Sequence, residues 1–174
     1  MLRQFIVPLT LILLAGCSQT VETRIMSKGQ PASIAGTFSL SETTSLSPGL
    51  LSARKLVSEA LLSRGYTIAE NGAFHLEVSL AERPAELSLG SAAGPTSIAV
   101  AKRKKPLQSC QDREYRIGVA LTRVTDGALL FQSSAAEYHC NQPIADSLPE
   151  LVKAALADLG NPRGTYTVNR AGRD

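Results

Sequence analysis

The stretch REYRIGVALTRVTDGALLFQSSAAEYH, residues 113–139, decides the fold. Tyr115, Ile117, Val119 and Leu121 alternate with Arg116, Gly118, Ala120 and Thr122, which is the period of a strand with one buried face. Thr125, Asp126 and Gly127 supply turn chemistry, and a second run from Ala128 to His139 completes a β-hairpin. With Asp126 and Gly127 as a two-residue loop, Thr125 stands opposite Ala128 and Cys140 opposite Arg113.

The same period recurs upstream, where Phe74, Leu76, Val78 and Leu80 alternate with His75, Glu77 and Ser79. Shorter strand candidates are Ile34 to Leu40, Tyr66 to Ile68 and Ser97 to Ala101. Two amphipathic helices lie among them. In the first, Ser47 is the N-cap and Pro48 opens the helix; Leu50, Ala53, Val57, Ala60 and Leu61 form its apolar stripe, and Gly65 closes it. In the second, Ser147 and Glu150 form a capping box, Leu148, Leu151, Val152, Ala155, Leu156 and Leu159 share one stripe, and Gly160 with Pro162 ends the run. This order predicts an α+β fold: a two-layer sandwich of a mostly antiparallel sheet with both helices on one face. No repeat of fixed period is present.

The chain has 174 residues, 44% hydrophobic and 19% charged, with a formal net charge of +3, the composition of an ordinary folded protein of one domain. It has no Trp, four Phe and four Tyr. Without a strong positive field or aromatic platforms, nucleic acid is excluded as the expected partner.

The amino terminus carries an address. Arg3 precedes an apolar run from Phe5 to Leu14, interrupted by Pro8 and Thr10 and too short for a membrane-spanning helix, which needs about 20 apolar residues. The run ends in Leu14-Ala15-Gly16-Cys17, which resembles the lipobox of bacterial lipoproteins. The resemblance implies cleavage before Cys17 and acylation of that cysteine, with each buried methylene contributing about 0.8 kcal/mol to anchorage. Ser18 follows where Asp is absent, and by the lipoprotein sorting rule this implies the outer membrane, facing the periplasm. A plain signal peptide is the competing reading. The expected organisation is a signal peptide over 1–16, lipidated Cys17 with a flexible tether over 17–33, one α/β domain over 34–160 and a loose tail over 161–174, where Thr165 to Val168 offer a short edge strand.

With Cys17 committed to lipid, Cys110 and Cys140 are expected to pair in an oxidising envelope. A redox pair, or a metal site with His139, is the alternative, but no Cys-x-x-Cys is present and adjacent strand residues point to opposite faces. Gly90 to Gly94 lacks the Lys and Ser/Thr of a phosphate loop and reads as a flexible loop. His75 with Glu77 is the weak start of an acid–base site, read as a surface histidine; Glu82, Glu86, Asp112, Glu114 and Glu137 are the carboxylates available for pairing. Lys102, Arg103, Lys104 and Lys105 form the only dense charge run. It is either a solvated loop or a contact for an anionic surface. Gly118 and Ala120 fall on the face opposite the helices, where small side chains permit close approach by another protein.

This assembly of lipobox, tether, helix ending in Arg64-Gly65-Tyr66, alternating Phe74 to Leu80 strand, hairpin and final helix resembles the small α/β lipoproteins of Gram-negative envelopes that carry a domain of unknown function. It is similar in plan to the auxiliary lipoproteins of lipid-trafficking ABC transporters. The resemblance implies no catalytic residues and no cofactor. It implies a membrane-anchored adaptor or scaffold for an envelope protein complex, with a lipid-binding auxiliary module as the alternative. A hydrolase built on His75 is the weakest expectation.

Overall fold

The computed structural model describes residues 19–41, 47–90, 97–99, 101–104 and 108–172. In chain order the elements are β1 (Gln19–Gly29), β2 (Thr37–Leu40), α1 (Pro48–Ser63), β3 (Thr67–Ile68), β4 (Phe74–Pro84), β5 (Leu89–Gly90), β6 (Ser97–Ala99), β7 (Arg113–Arg123), β8 (Leu129–His139), α2 (Ile144–Ala155) and β9 (Gly164–Gly172). Seven strands form one sheet in the order β3-β2-β4-β7-β8-β1-β9, and β5 pairs with β6 apart from it. β2 runs parallel to β3 and β4; every other pairing is antiparallel. This is the expected α+β sandwich.

Alternation decides what goes inside. Leu76 and Val78 of β4, Tyr115, Ile117, Val119 and Leu121 of β7, and Phe131 and Ala135 of β8 are buried beneath Ala53, Val57 and Leu61 of α1 and Leu148, Leu151 and Val152 of α2. α1 starts where its cap predicts: Ser47 Oγ accepts the Leu50 N–H at 3.3 Å, and Gly65 turns the chain at φ +83°. α2 differs. It begins at Ile144 with Pro143 at the N-cap, so Ser147 lies inside the helix and makes no capping box. Its hydroxyl faces His139 instead, at 3.0 Å from Nε2.

The hairpin register also differs from the two-residue-loop expectation. Arg113 stands opposite His139 and Leu121 opposite Phe131, and the register shifts after Leu121 so that Thr122 meets Leu129. The Arg123 N–H reaches Ala128 O and the Gly127 N–H reaches Arg123 O, a wider loop stapled by Asp126, whose carboxylate accepts from Ala128 N and Arg123. Because strand side chains alternate, a one-residue slip exchanges the faces. The observed register sends Glu137 and His139 inward with Phe131 and Ala135.

The expected tether over residues 17–33 is corrected from Gln19 onward, as is the domain boundary at 34. β1 lies within the sheet, paired with β8 on one side and, from Gln19 to Ser27, with β9 on the other. Its polar sequence conceals an amphipathic strand whose inward positions are Val21, Thr23, Ile25 and Ser27. The two hydroxyls are buried because they serve buried carboxylates: Thr23 Oγ1 donates to Glu137 at 2.6 Å and Ser27 Oγ to Asp158 at 2.7 Å. The expected tail over 161–174 is corrected likewise, since Gly164–Gly172 forms the edge strand β9. The expected signal segment over 1–16, Cys17 and Ser18 lie outside the described residues, as do residues 91–96 and Lys105.

Gly29 ends β1 against the register shift of β8. At φ +140°, a Cβ there would stand 2.2 Å from the Leu130 carbonyl oxygen. Gly29→Ala is expected to lower unfolding free energy by about 2–3 kcal/mol, measured by urea denaturation; an unchanged midpoint would show that this junction is soft.

Candidate functional site

Three groups of residues combine chemistry with position. The first is buried on the helix side. Glu137 is fully buried and receives Thr23 Oγ1, His139 Nε2 at 2.8 Å, and both Nε and Nη2 of Arg170 at 3.0 and 2.7 Å. Burial pushes its carboxyl pKa up, but the hydrogen bonds from His139, Arg170 and Thr23 and the Arg170 charge outweigh this and hold it at about 2. An ionised carboxylate only accepts, so His139 Nε2 carries the proton that meets it. The same nitrogen is the one that faces Ser147, hence His139 is not a base toward that hydroxyl. Ser147, His139 and Glu137 resemble a catalytic triad in residue type alone, because a triad uses both ring nitrogens. All three are sealed from solvent.

The second group is on the helix-free face. Glu114, 1% exposed, receives Arg24 from β1 at 2.9 Å, Arg83 from β4 at 2.7 Å and Arg116 from its own strand at 2.9 Å. Arg24 also lies 4.0 Å over the Tyr138 ring. Burial raises the Glu114 carboxyl and the Arg24 and Arg116 contacts lower it further, leaving it below its ordinary value. Beside this cluster the sheet surface dips into a shallow depression of about 340 Å³, lined by Ser79, Ala81, Gly118, Ala120 and Ser134 and bounded by Arg116, Glu77 and Met26. It exists because the outward positions of β4, β7 and β8 carry small side chains in adjacent rungs, Ser79 opposite Gly118 and Gly118 opposite Ser134. The sheet backbone is thereby open to close approach.

The third group is the bridged corner. Cys110 and Cys140 are joined by a disulfide, with Cα atoms 5.5 Å apart, so neither thiol is available to a metal or as a redox dithiol. The bridge fastens the segment entering β7 to the end of β8. Lys102 is drawn to the same corner: its N–H reaches Ala85 O at 2.8 Å, its Nζ lies 2.6 Å from Asp112, and its ammonium sits 4.8 Å over Tyr138. Arg103 and Lys104 are exposed. Replacing both bridged cysteines by Ser frees a loop of 30 residues; by loop entropy this costs about 3–4 kcal/mol. Thermal melts of the Cys110→Ser/Cys140→Ser chain should therefore start well below those of the parent, and equal melts would show that the corner is held without the bridge.

The remaining expected sites are not assembled. His75 lies on the helix-free face with Ser39 Oγ 3.3 Å from Nδ1 and Ser41 Oγ 2.7 Å from Nε2; Glu77 is not among its hydrogen-bond partners. Glu114 and Glu137 point to opposite faces of the sheet, Glu82 is paired with Arg113, Asp112 with Lys102, and Glu86 with Gln111. Of these carboxylates Glu86 and Asp112 line one small pocket of about 20 Å³ together with Lys102, Gln108 and Gln111, and each is already engaged there, Asp112 by Lys102 and Glu86 by Gln111.

No protein family matches the chain, and no curated protein matches it in sequence. Solved structures share its fold. A PDZ domain protein from Parabacteroides distasonis superposes with a TM-score of 0.58 at 10% identity over 86% of this chain, which spans 39% of that protein. The PelC dodecamer from Paraburkholderia phytofirmans has a TM-score of 0.51 at 14% identity, covering 80% of this chain and 99% of PelC. A minor lipoprotein from Acinetobacter baumannii is a looser likeness, with a TM-score of 0.34 at 14% identity over 71% of this chain and 85% of that one.

Sequence reasoning lists Glu114 and Glu137 among the carboxylates and Gly118 and Ala120 among the small outward residues. It misses that three arginines from three strands meet at Glu114, because their convergence depends on the β1–β8 and β4–β7 registers. The parity of Glu137 with Phe131 and Ala135 is a signal already present in the chain, and it marks this glutamate as inward-facing.

Proposed function

We propose that the protein is a non-enzymatic envelope lipoprotein, held on the outer membrane by acylated Cys17 with its folded body in the periplasm, and that it serves as an adaptor or scaffold whose helix-free sheet face docks a membrane protein complex. The observation that carries this reading is the depression over Ser79, Gly118, Ala120 and Ser134, open backbone flanked by Glu77 and by Arg116, which belongs to the Glu114 cluster. A surface of small residues bounded by charge gives shape for close packing and polarity for orientation. The enclosure of Ser147, His139 and Glu137 supports a binding role over catalysis. PelC, like in fold, is a dodecamer, which supports the use of this architecture in assemblies.

The alternative, a lipid-binding auxiliary module, needs an apolar groove between helices and sheet. Phe38, Val57, Leu61, Leu76, Leu151 and Leu156, each 0% exposed, fill that layer, so the adaptor reading is preferred. The test has two arms. Radiolabelled palmitate should mark the wild-type chain in growing cells and leave Cys17→Ser unmarked. Native extraction should recover a stable partner with the wild type and lose it with Ala120→Arg, which fills the depression without entering the core. An unmarked wild type, or a partner retained by Ala120→Arg, contradicts the proposal.

A further inference from the structure

We propose that the sheet end carrying Lys102, Arg103 and Lys104 rests against the phosphate groups of an anionic bilayer, the one into which Cys17 is anchored; the inference rests on the lipid-anchor reading above. Cys17 stands two residues before Gln19, the first residue of β1. Two residues reach about 7 Å when extended, so an acylated Cys17 holds the folded body down at the membrane with no tether to lift it. The end held down is set by strand direction. β1 is antiparallel to β8 and β8 to β7, which is antiparallel to β4; the Gln19 end therefore lies with His139, Arg113 and Pro84. The basic segment joins that end through the Lys102 N–H to Ala85 O bond and the Lys102–Asp112 ion pair. From β1 to β4 is three strand spacings, about 15 Å.

Charge at this end fits a phosphate surface. Lys102 is engaged by Asp112, whereas exposed Arg103 and Lys104 form no ion pair among the described residues. Cations so close to the anchor sit within a Debye length of the headgroups, where an anionic leaflet attracts each of them. The acyl chains supply affinity, and the basic end supplies orientation: it keeps the sheet upright on the bilayer and turns the helix-free face sideways, toward neighbouring membrane proteins.

The test uses the full chain with a fluorophore at Ala101→Cys, beside the basic run, or at Thr125→Cys, on the hairpin loop about 35 Å away along β7. Each is reconstituted into vesicles of phosphatidylcholine alone or mixed with phosphatidylglycerol, with a spin label on the lipid headgroup as quencher. Flotation with the vesicles is read first and reports the anchor. The expected result is quenching at position 101 in the anionic vesicles, its loss with Arg103→Gln/Lys104→Gln while flotation persists, and no quenching at position 125. Flotation with equal quenching at both positions, or with quenching at 101 unchanged by the Gln pair or by neutral lipid, overturns the contact and leaves the anchor standing. A wild-type chain that does not float overturns both.

Discussion

A chain beginning at residue 34 is expected not to fold. Removing residues 19–33 takes out β1, which joins β9 to the rest of the sheet and lines one side of β8. β9 then has no strand to pair with, Ile25 leaves the core, and the Thr23 and Ser27 hydroxyls are lost from Glu137 and Asp158. A domain's whole stability is about 5–15 kcal/mol, and losing two strand interfaces together with buried hydrogen bonds exceeds that reserve. The 34–174 chain should show no cooperative melt and no dispersed amide spectrum, whereas the 19–174 chain should show both. A cooperative transition in the shorter chain would mean that β1 is an accessory strand.

Glu137→Gln is the second large effect. The substitution keeps size but leaves Arg170 beside a neutral amide in a buried site, and breaking a buried pair by removing one partner costs about 3–5 kcal/mol. Glu137→Met combined with Arg170→Met removes both charges and should recover the part of that loss due to the unpaired guanidinium but not the part due to Thr23 and His139 losing their acceptor, so a double-mutant cycle separates the two. The pH dependence has a definite sign. The folded-state pKa of Glu137 is about 2, below the ordinary 4.5, so its contribution to stability is fully present above about pH 4.5 and is lost as the pH falls through about 2. Glu114 and Asp158 are lowered as well and act in the same direction. Acid unfolding of the parent should steepen over that interval, and the Glu137→Gln chain should lose part of the slope; identical slopes would place the acid-sensitive group elsewhere.

Both helices and the β4 and β7 strands are legible in the sequence because their burial is plain hydrophobic burial: Leu76 and Val78, or Ile117, Val119 and Leu121, recur at the period of the element that buries them. β1 and β9 are not, because hydrophobicity alone, Val21 and Ile25 in β1 and Tyr166 in β9, is not what seats them. Thr23, Ser27 and Arg170 enter by bonding to Glu137 and Asp158, carboxylates more than a hundred residues distant from the first two and unmarked as buried until the sheet is assembled. The same holds for the surface. Gly118 and Ala120 announce a permissive strand, but the depression exists because Ser79 and Ser134 flank them in register, and register was the part of the hairpin that Asp126-Gly127 misreported.

Site-specific photocrosslinking in growing cells tests the docking face most directly, with the photoreactive residue at Gln132, which lines the depression, or at Leu51, exposed on α1. A discrete adduct from position 132, abolished by adding Ala120→Arg and absent from position 51, is the outcome expected of a docking face. No adduct at 132, or the same adduct from 51, would contradict it.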